Sequence, residues 1–334
     1  MEYKKAALSL RDTQKALCCI KERFSHDLAE ALHLFQVAAP LFVRTGTGVN
    51  DDLNGTEKPV SFVMKHDGGT AEIVHSLAKW KRMALARYGC KRGEGIYADM
   101  RAIRADEECD DIHSLYVDQW DWEQVIEAED RTLDYLHDCV KRIYHAMRAT
   151  EHYICTVYPE LEPCLSREIS FVHSQDLADR YPTLSPKERE HEICKEKGAV
   201  FLIGIGADLA DGIPHDGRAP DYDDWSTHTS SAHYGLNGDI LVWDDVRKKA
   251  LELSSMGVRV DKQALLRQLE LRGVSQKSSL PFHTMLLNDE LPLSIGGGIG
   301  QSRFCMFLLH KAHIKEVQES VWSDVNSGVY SLTI

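Results

Sequence analysis

Three stretches of this chain hold residue types whose spacing could do chemistry. The first is Gly296-Gly297-Gly298-Ile299-Gly300-Gln301-Ser302-Arg303. Glycines at every second position let a backbone approach a flat ligand closely, because no Cβ stands in the way. An apolar helical pattern starts at Gln301 and puts Arg303 in its first turn, where a guanidinium could meet a phosphate or lie beside a purine ring. A tight strand-to-helix turn with a surface arginine has the same spacing. A Walker A loop is excluded because the Gly-Lys-Ser/Thr ending is absent, and the spacing does not fit the dinucleotide fingerprint.

The second stretch is Arg104-Ala105-Asp106-Glu107, followed after a gap by residues 115–123, LYVDQWDWE. An arginine at a strand end, joined by a loop to an antiparallel strand, could clamp a phosphate through two parallel bonds. A solvated arginine is the plain alternative. Read as a strand, 115–123 puts Val117, Gln119 and Asp121 on one face and Asp118, Trp120 and Trp122 on the other. Two polar residues on the first face suggest the floor of a polar site. The third stretch is HSLAKWKR at 75–82, where Ser76 and Lys81 fall on adjoining turns of a helix. Lys81 could bind a carboxylate there, or belong to a basic helix face.

These residues need elements to hold them. Leu17, Ile20, Phe24, Leu28 and Leu32 recur at three- and four-residue steps and predict an amphipathic helix, followed by an extended segment over 34–42 that contains Pro40. Short strands are expected at 60–64 and 71–74. Ser76 is placed to cap a helix running to Tyr88, with Gly89 as its stop. A long helix follows through Leu133, Leu136, Val140, Ile143 and Met147. Ser185-Pro186-Lys187-Glu188 carries a helix start with a capping box. Strands are expected at 199–205, 239–243 and 251–260, an acidic loop at 221–226, and a buried helix at 301–310. Helices and strands mix without steady βαβ alternation, which predicts an α+β fold with a largely antiparallel sheet. No repeat or linker divides the chain, so residues 1–334 read as a single domain.

Composition narrows the classes. The 334 residues are 43% hydrophobic and 27% charged, an ordinary globular balance. The net charge of −13 argues against a broad basic surface, so no nucleic-acid partner is expected. No apolar run reaches the ~18 residues of a spanning helix, and the opening Met1-Glu2-Tyr3-Lys4-Lys5 does not read as a secretory signal. Nine scattered cysteines without a CxxC pair read as reduced thiols of a cytoplasmic protein and make a structural zinc site unexpected.

Taken in order, these segments resemble the class II aminoacyl-tRNA synthetase catalytic domain, a mainly antiparallel sheet flanked by helices. The helix, strand and Pro40 passage is similar to its motif 1, which implies a homodimer. Arg104 with the following strand is similar to motif 2, and Gly296, Gly298, Gly300 and Arg303 match the motif 3 pattern GxGxGxxR. Ser76 to Lys81, Gln119 with Asp121, and Glu252 to Arg259 resemble the aspartyl branch. The segments HSLAKWKR, LYVDQWDWE, RAPDYDDWS, LNGDILVW, ELSSMGVRV and GGGIGQSR resemble most closely the aspartate–ammonia ligase family, the ammonia-dependent asparagine synthetases.

That resemblance implies an AMP-forming ligase. ATP and Mg²⁺ would activate aspartate as an adenylate, and ammonia would displace AMP to give L-asparagine. It implies Arg104 at the α-phosphate, Arg303 at the adenine or γ-phosphate, Gly298, Gly300 and the main chain near Val117 around ATP, and Asp239 with Glu252 on Mg²⁺. Lys81 and Arg259 would hold the α-carboxylate of aspartate, beside Ser76, Gln119, Asp121, Tyr222 and Ser255. Either Asp51 or Asp223 would be the base that takes a proton from ammonium. The alternative is an aspartyl-tRNA-synthetase-like protein that passes activated aspartate to RNA or another acceptor; the acidic charge, and the lack of room for an anticodon-binding domain, count against it. A glutamine-dependent enzyme is disfavoured because residue 2 is Glu2, not a cysteine nucleophile.

Overall fold

A computed structural model describes residues 8–53 and 55–322; the opening pentapeptide and Glu2 lie outside the described residues. Helix α1 (Leu10–Leu32) forms where the apolar repeat predicts it. Its N-cap Ser9 accepts a hydrogen bond from the Asp12 N–H at 3.2 Å, satisfying one first-turn donor. The buried stripe of α1, including Leu17, Ile20, Phe24 and Leu28, packs against α3 (Leu133–Val157), whose Leu136, Val140, Ile143 and Met147 face it.

Both helices cover one face of an eight-stranded sheet. Its strands lie side by side as β1 (Leu34–Gln36), β5 (Gly95–Ile103), β6 (Tyr116–Val125), β11 (Ser294–Gly300), β10 (Lys249–Val258), β9 (Asn237–Asp244), β8 (Ala199–Ile203) and β7 (Ser170–His173). The central pairs are antiparallel and only the two edge pairs, β1–β5 and β7–β8, are parallel. The α+β, mainly antiparallel expectation holds. A small second sheet has the order β2 (Phe42–Arg44), β4 (Thr70–Ile73), β3 (Ser61–Val63). The remaining helices are α2 (Ala78–Tyr88), α4 (Ser174–Arg180), α5 (Pro186–Lys197), α6 (Lys262–Leu271), α7 (Pro281–Leu287) and α8 (Gln301–Leu308).

Strand alternation sorts the two faces of the sheet. Trp120, Trp122, Ile240, Met256, Ile295 and Ile299 point to the helical side and join the apolar core. Phe24 of α1 meets Trp120 at 4.6 Å between ring centroids and Phe304 of α8 at 4.9 Å. A fully buried side chain of this kind contributes about 1.5–3 kcal/mol. The opposite face carries Gln119, Asp121, Glu123, Ser255 and Asp239.

Two local expectations are corrected. The 34–42 segment is not one strand: β1 ends at Gln36, and the chain passes Pro40 before β2 begins in the other sheet. A proline lacks the N–H that a continuous ladder needs. Ser76 is not the cap of α2. Leu77 stands at that position without a side-chain cap; the Ser76 hydroxyl donates to Asp51 at 2.8 Å and accepts only a long bond, 3.4 Å, from the Ala78 N–H. The Ser185 capping box on α5 forms as predicted.

Candidate active site

Residues on the polar face of β6, β11 and β10 form the floor of a cleft of about 510 Å³. Every residue given a substrate, nucleotide, metal or base role from the sequence lines it except Asp239, whose carboxylate is bound by Arg218 on the cleft wall at 2.6 Å; Gly296 of the glycine pattern lies outside the lining. Register explains the assembly. Asp121 lies opposite Gly298, Gly298 opposite Ser255, and Ser255 opposite Asp239, a row across four strands.

Glu252 joins this face only through a β-bulge. Ladder pairing runs Glu252–Leu241 and then Ser254–Ile240, so Leu253 is the extra residue. Residues three apart in a regular strand point to opposite faces. The bulge resets the alternation, sends Leu253 into the core, and leaves Glu252 and Ser255 on one face.

Two of the glycines of β11 are also required by their neighbours in the sheet. A Cβ on Gly296 would stand 1.9 Å from Glu123 Oε2, and one on Gly298 would stand 2.5 Å from Gln119 Oε1. These two glycines make room for neighbouring side chains of β6. Only at Gly300 is the space open, with Arg303 Cβ the nearest atom at 3.6 Å.

The floor is a network of buried charges. Lys81, fully enclosed, bonds to Asp121 and to the Gly297 carbonyl at 2.9 Å, with Glu123 at 3.8 Å. Burial holds its ammonium below the usual lysine range despite Asp121 and Glu123. Arg259 grips Glu123 in bidentate fashion at 3.0 and 2.8 Å and pairs with Asp223. Burial pushes the Glu123 carboxyl up, but Arg259, Lys81 and the Ser294 hydroxyl outweigh it and hold it low. The Tyr222 ring lies under the Arg259 guanidinium at 5.8 Å. Asp51 is positioned by the Ser76 hydroxyl at 2.8 Å and the Leu53 N–H at 2.9 Å.

The 221–226 segment is not a solvated acidic loop. Asp221, Asp223 and Asp224 are each no more than 1% exposed and each has a cation: Lys79, Arg259 and Arg131 respectively. Sequence reasoning therefore missed Lys79, Glu123, Arg131 and Arg218. Arg218 opens the RAPDYDDWS segment, and that was the available signal.

The other end of the cleft is more open. Six residue steps along β6 separate Val117 from Glu123, roughly 20 Å of strand. Near Val117, Arg104 makes one long bond, 3.5 Å to the His75 carbonyl, and its buried Nε has no partner among the described residues. Arg303 reaches the Glu252 carboxylate at 3.4 Å and the Ile112 carbonyl at 3.2 Å. Burial raises the Asp239 carboxyl to about 7; Arg218 opposes this and Glu252 reinforces it. Two carboxylates crowded into one corner are a donor set that a divalent cation would relieve, and Mg²⁺ needs few protein ligands because it keeps water and phosphate oxygens. Asp239 and Glu252 fit that ion.

Comparison with known proteins follows the same lines. Residues 11–330 match the family model described as aspartate-ammonia ligase. An aspartate–ammonia ligase of Bacteroides fragilis is 57% identical over 321 residues, 96% of this chain and 93% of that one. The Clostridium perfringens protein of the same name is 55% identical with the same coverage. Among solved structures, Entamoeba histolytica asparaginyl-tRNA synthetase in complex with asparaginyl-adenylate superposes with a TM-score of 0.64 at 15% identity, covering 92% of this chain and 66% of that one. The Pyrococcus horikoshii asparaginyl-tRNA synthetase complexed with asparaginyl-adenylate gives a TM-score of 0.67 at 14% identity, with 92% and 68% covered. The chain thus spans about two thirds of the length of those synthetases, and the likeness to them is one of fold.

Proposed function

The chain belongs to the aspartate–ammonia ligase family, and from that premise we propose that it makes L-asparagine from L-aspartate, ammonia and ATP through a β-aspartyl-adenylate, releasing AMP and pyrophosphate. The observation that carries this reading is the polarity of the cleft. One end holds two buried cations, Lys81 and Arg259, among carboxylates; the other holds arginines Arg104 and Arg303 beside Glu252, with Asp239 behind Arg218 of the wall. A zwitterionic amino acid suits the first end and a triphosphate the second.

Aspartate lies with its α-carboxylate on Lys81 and Arg259 and its α-ammonium among Asp121 and Asp223, beside Ser76, Gln119, Tyr222 and Ser255. Its β-carboxylate then points along the strands towards the nucleotide. ATP lies over Gly298 and Gly300 with its base near the Val117 main chain. Arg104 faces the α-phosphate, where charge builds during attack; preorganised donors at such a point are a large catalytic term. Arg303 faces the adenine or γ-phosphate. Asp239 and Glu252 would hold Mg²⁺, which would supply neutralisation of phosphate charge.

Amination needs neutral ammonia, and a carboxylate can take the proton. Asp223 is committed to Arg259, whereas among the described residues the hydrogen bonds to the Asp51 carboxylate come from neutral donors, the Ser76 hydroxyl and the Leu53 N–H. That difference supports Asp51 as the base. Asp51→Asn is expected to spare aspartate-dependent exchange of labelled pyrophosphate into ATP while asparagine formation falls. Equal loss of both activities assigns Asp51 to the α-ammonium of aspartate; no loss of either removes it from the site.

We read the chain as one catalytic domain acting as a cytoplasmic homodimer. Free cysteines support a reducing compartment. Exposed apolar side chains at Phe35 of β1, which follows α1, and at Leu41, Phe42 and Phe62 of the small sheet and the passage to it support a twofold contact. Sedimentation at assay concentration is expected to give a dimer, and a fully active monomer contradicts it.

A further inference from the structure

Helix α8 begins without a cap of its own. Its N-cap residue is Gly300, which has no side chain to accept from the first-turn N–H groups, and those groups need acceptors. A capping side chain at this position would project into the open end of the cleft, because nothing stands closer to a Gly300 Cβ than Arg303 Cβ at 3.6 Å. The acceptor comes instead from β6. Asp118 Oδ1 accepts from the Ser302 N–H at 3.0 Å and from the Ser302 hydroxyl at 2.6 Å. Its other oxygen accepts from Lys21 of α1 at 2.9 Å. Gln318 closes the set, donating to the Ser302 hydroxyl at 3.0 Å and to the Tyr116 carbonyl at 3.1 Å.

Asp118 shares the strand face of Trp120 and Trp122, and with Ser302 it reaches the edge of the cleft. It is 5% exposed. A buried carboxylate among tryptophans is unfavourable unless it is compensated, so packing alone would be served by an apolar residue. Here the compensation comes from a helix N-terminus and a lysine, both of which favour the anion. What Asp118 joins is specific: the strand that carries Val117 and Gln119, and the helix whose next residue is Arg303.

We propose that Asp118 is a positioning residue for ATP, acting as a cap supplied from β6 that fixes the start of α8, and so Arg303, against the strand that lines the nucleotide end. With ATP at that end, as proposed above, loss of the cap lets Arg303 drift from the nucleotide while the aspartate end stays anchored by Asp121, Glu123 and Asp223.

Asp118→Asn keeps the size and removes the charge. Its KM for ATP is expected to rise about tenfold, the size of a lost charge-assisted hydrogen bond. KM for aspartate and kcat at saturating ATP should stay within about twofold, and titration with a non-hydrolysable ATP analogue without aspartate should show the same loss of affinity. Ser302→Ala removes only the hydroxyl, leaves the carboxylate paired with Lys21, and decides the matter if Asp118→Asn does not fold; a threefold to fivefold rise in KM for ATP is expected, on the order of a neutral hydrogen bond. If the wild type binds ATP and neither variant changes its ATP affinity, the cap is structural and the assignment is wrong. If the wild type itself does not bind ATP, the reading of the cleft fails first.

Discussion

Arg104→Ala should lower kcat by roughly 10²-fold or more in both pyrophosphate exchange and asparagine formation, because adenylate formation precedes both. The folded protein should be unharmed. Among the described residues the side chain of Arg104 makes a single hydrogen bond, 3.5 Å to a carbonyl, and Glu252, whose carboxyl it helps hold low, keeps Arg303 when it is removed. A guanidinium held this loosely, with its Nε unpartnered among the described residues, contributes little to the fold and is available to an incoming phosphate. Thermal melting of the variant should overlay that of the wild type while turnover collapses. Near-normal turnover would remove Arg104 from the chemistry and shift the burden to Arg303.

Arg259→Ala should behave in the opposite way, harming the fold and the site together. The deletion leaves Glu123, fully enclosed, and Asp223, 1% exposed, without their main cation. Breaking a buried pair from one side costs about 3–5 kcal/mol, since the remaining charge stays desolvated. The pH dependence has a definite sign. In the wild type, Glu123 is held below its unfolded pKa of about 4.3, so its contribution is present above that pH and is lost as pH falls through the folded value. In the variant, burial wins and the carboxyl pKa rises, so the penalty is full at neutral pH and shrinks as protonation sets in. The stability gap between wild type and variant should therefore narrow as pH falls below about 5. Adding Glu123→Gln should recover part of the stability but not aspartate binding. A variant as stable as the wild type at pH 7 contradicts the network described here.

These two arginines show what could and could not be read from the chain. Arg104 and Arg303 were legible because each sits beside a local landmark, a strand end or a glycine run. The faces of β6 were legible too, since a period of two separates Gln119 and Asp121 from Trp120 and Trp122. The partner of Arg259 was not, because Glu123 lies 136 residues away and only strand order brings them together. Glu252 and Ser255 share a face through a bulge, and no alternation pattern announces one. The 221–226 segment read as an acidic loop, and its burial was not legible because charge in a loop looks the same whether or not its counter-ions arrive from elsewhere. The glycines illustrate a subtler gap. Their small size was correctly read as making room, but Gly296 and Gly298 make it for Glu123 and Gln119.

The central claim is that the β-carboxylate of aspartate is activated as an adenylate before ammonia displaces AMP. Aspartate labelled with ¹⁸O in its β-carboxylate, incubated with ATP, Mg²⁺, ammonium and the enzyme, tests it directly. The account predicts AMP carrying one ¹⁸O, unlabelled pyrophosphate, and asparagine that keeps the other ¹⁸O in its side-chain amide, seen by ³¹P NMR and mass spectrometry. ADP with labelled inorganic phosphate would contradict it, because the label would then have passed through an acyl phosphate.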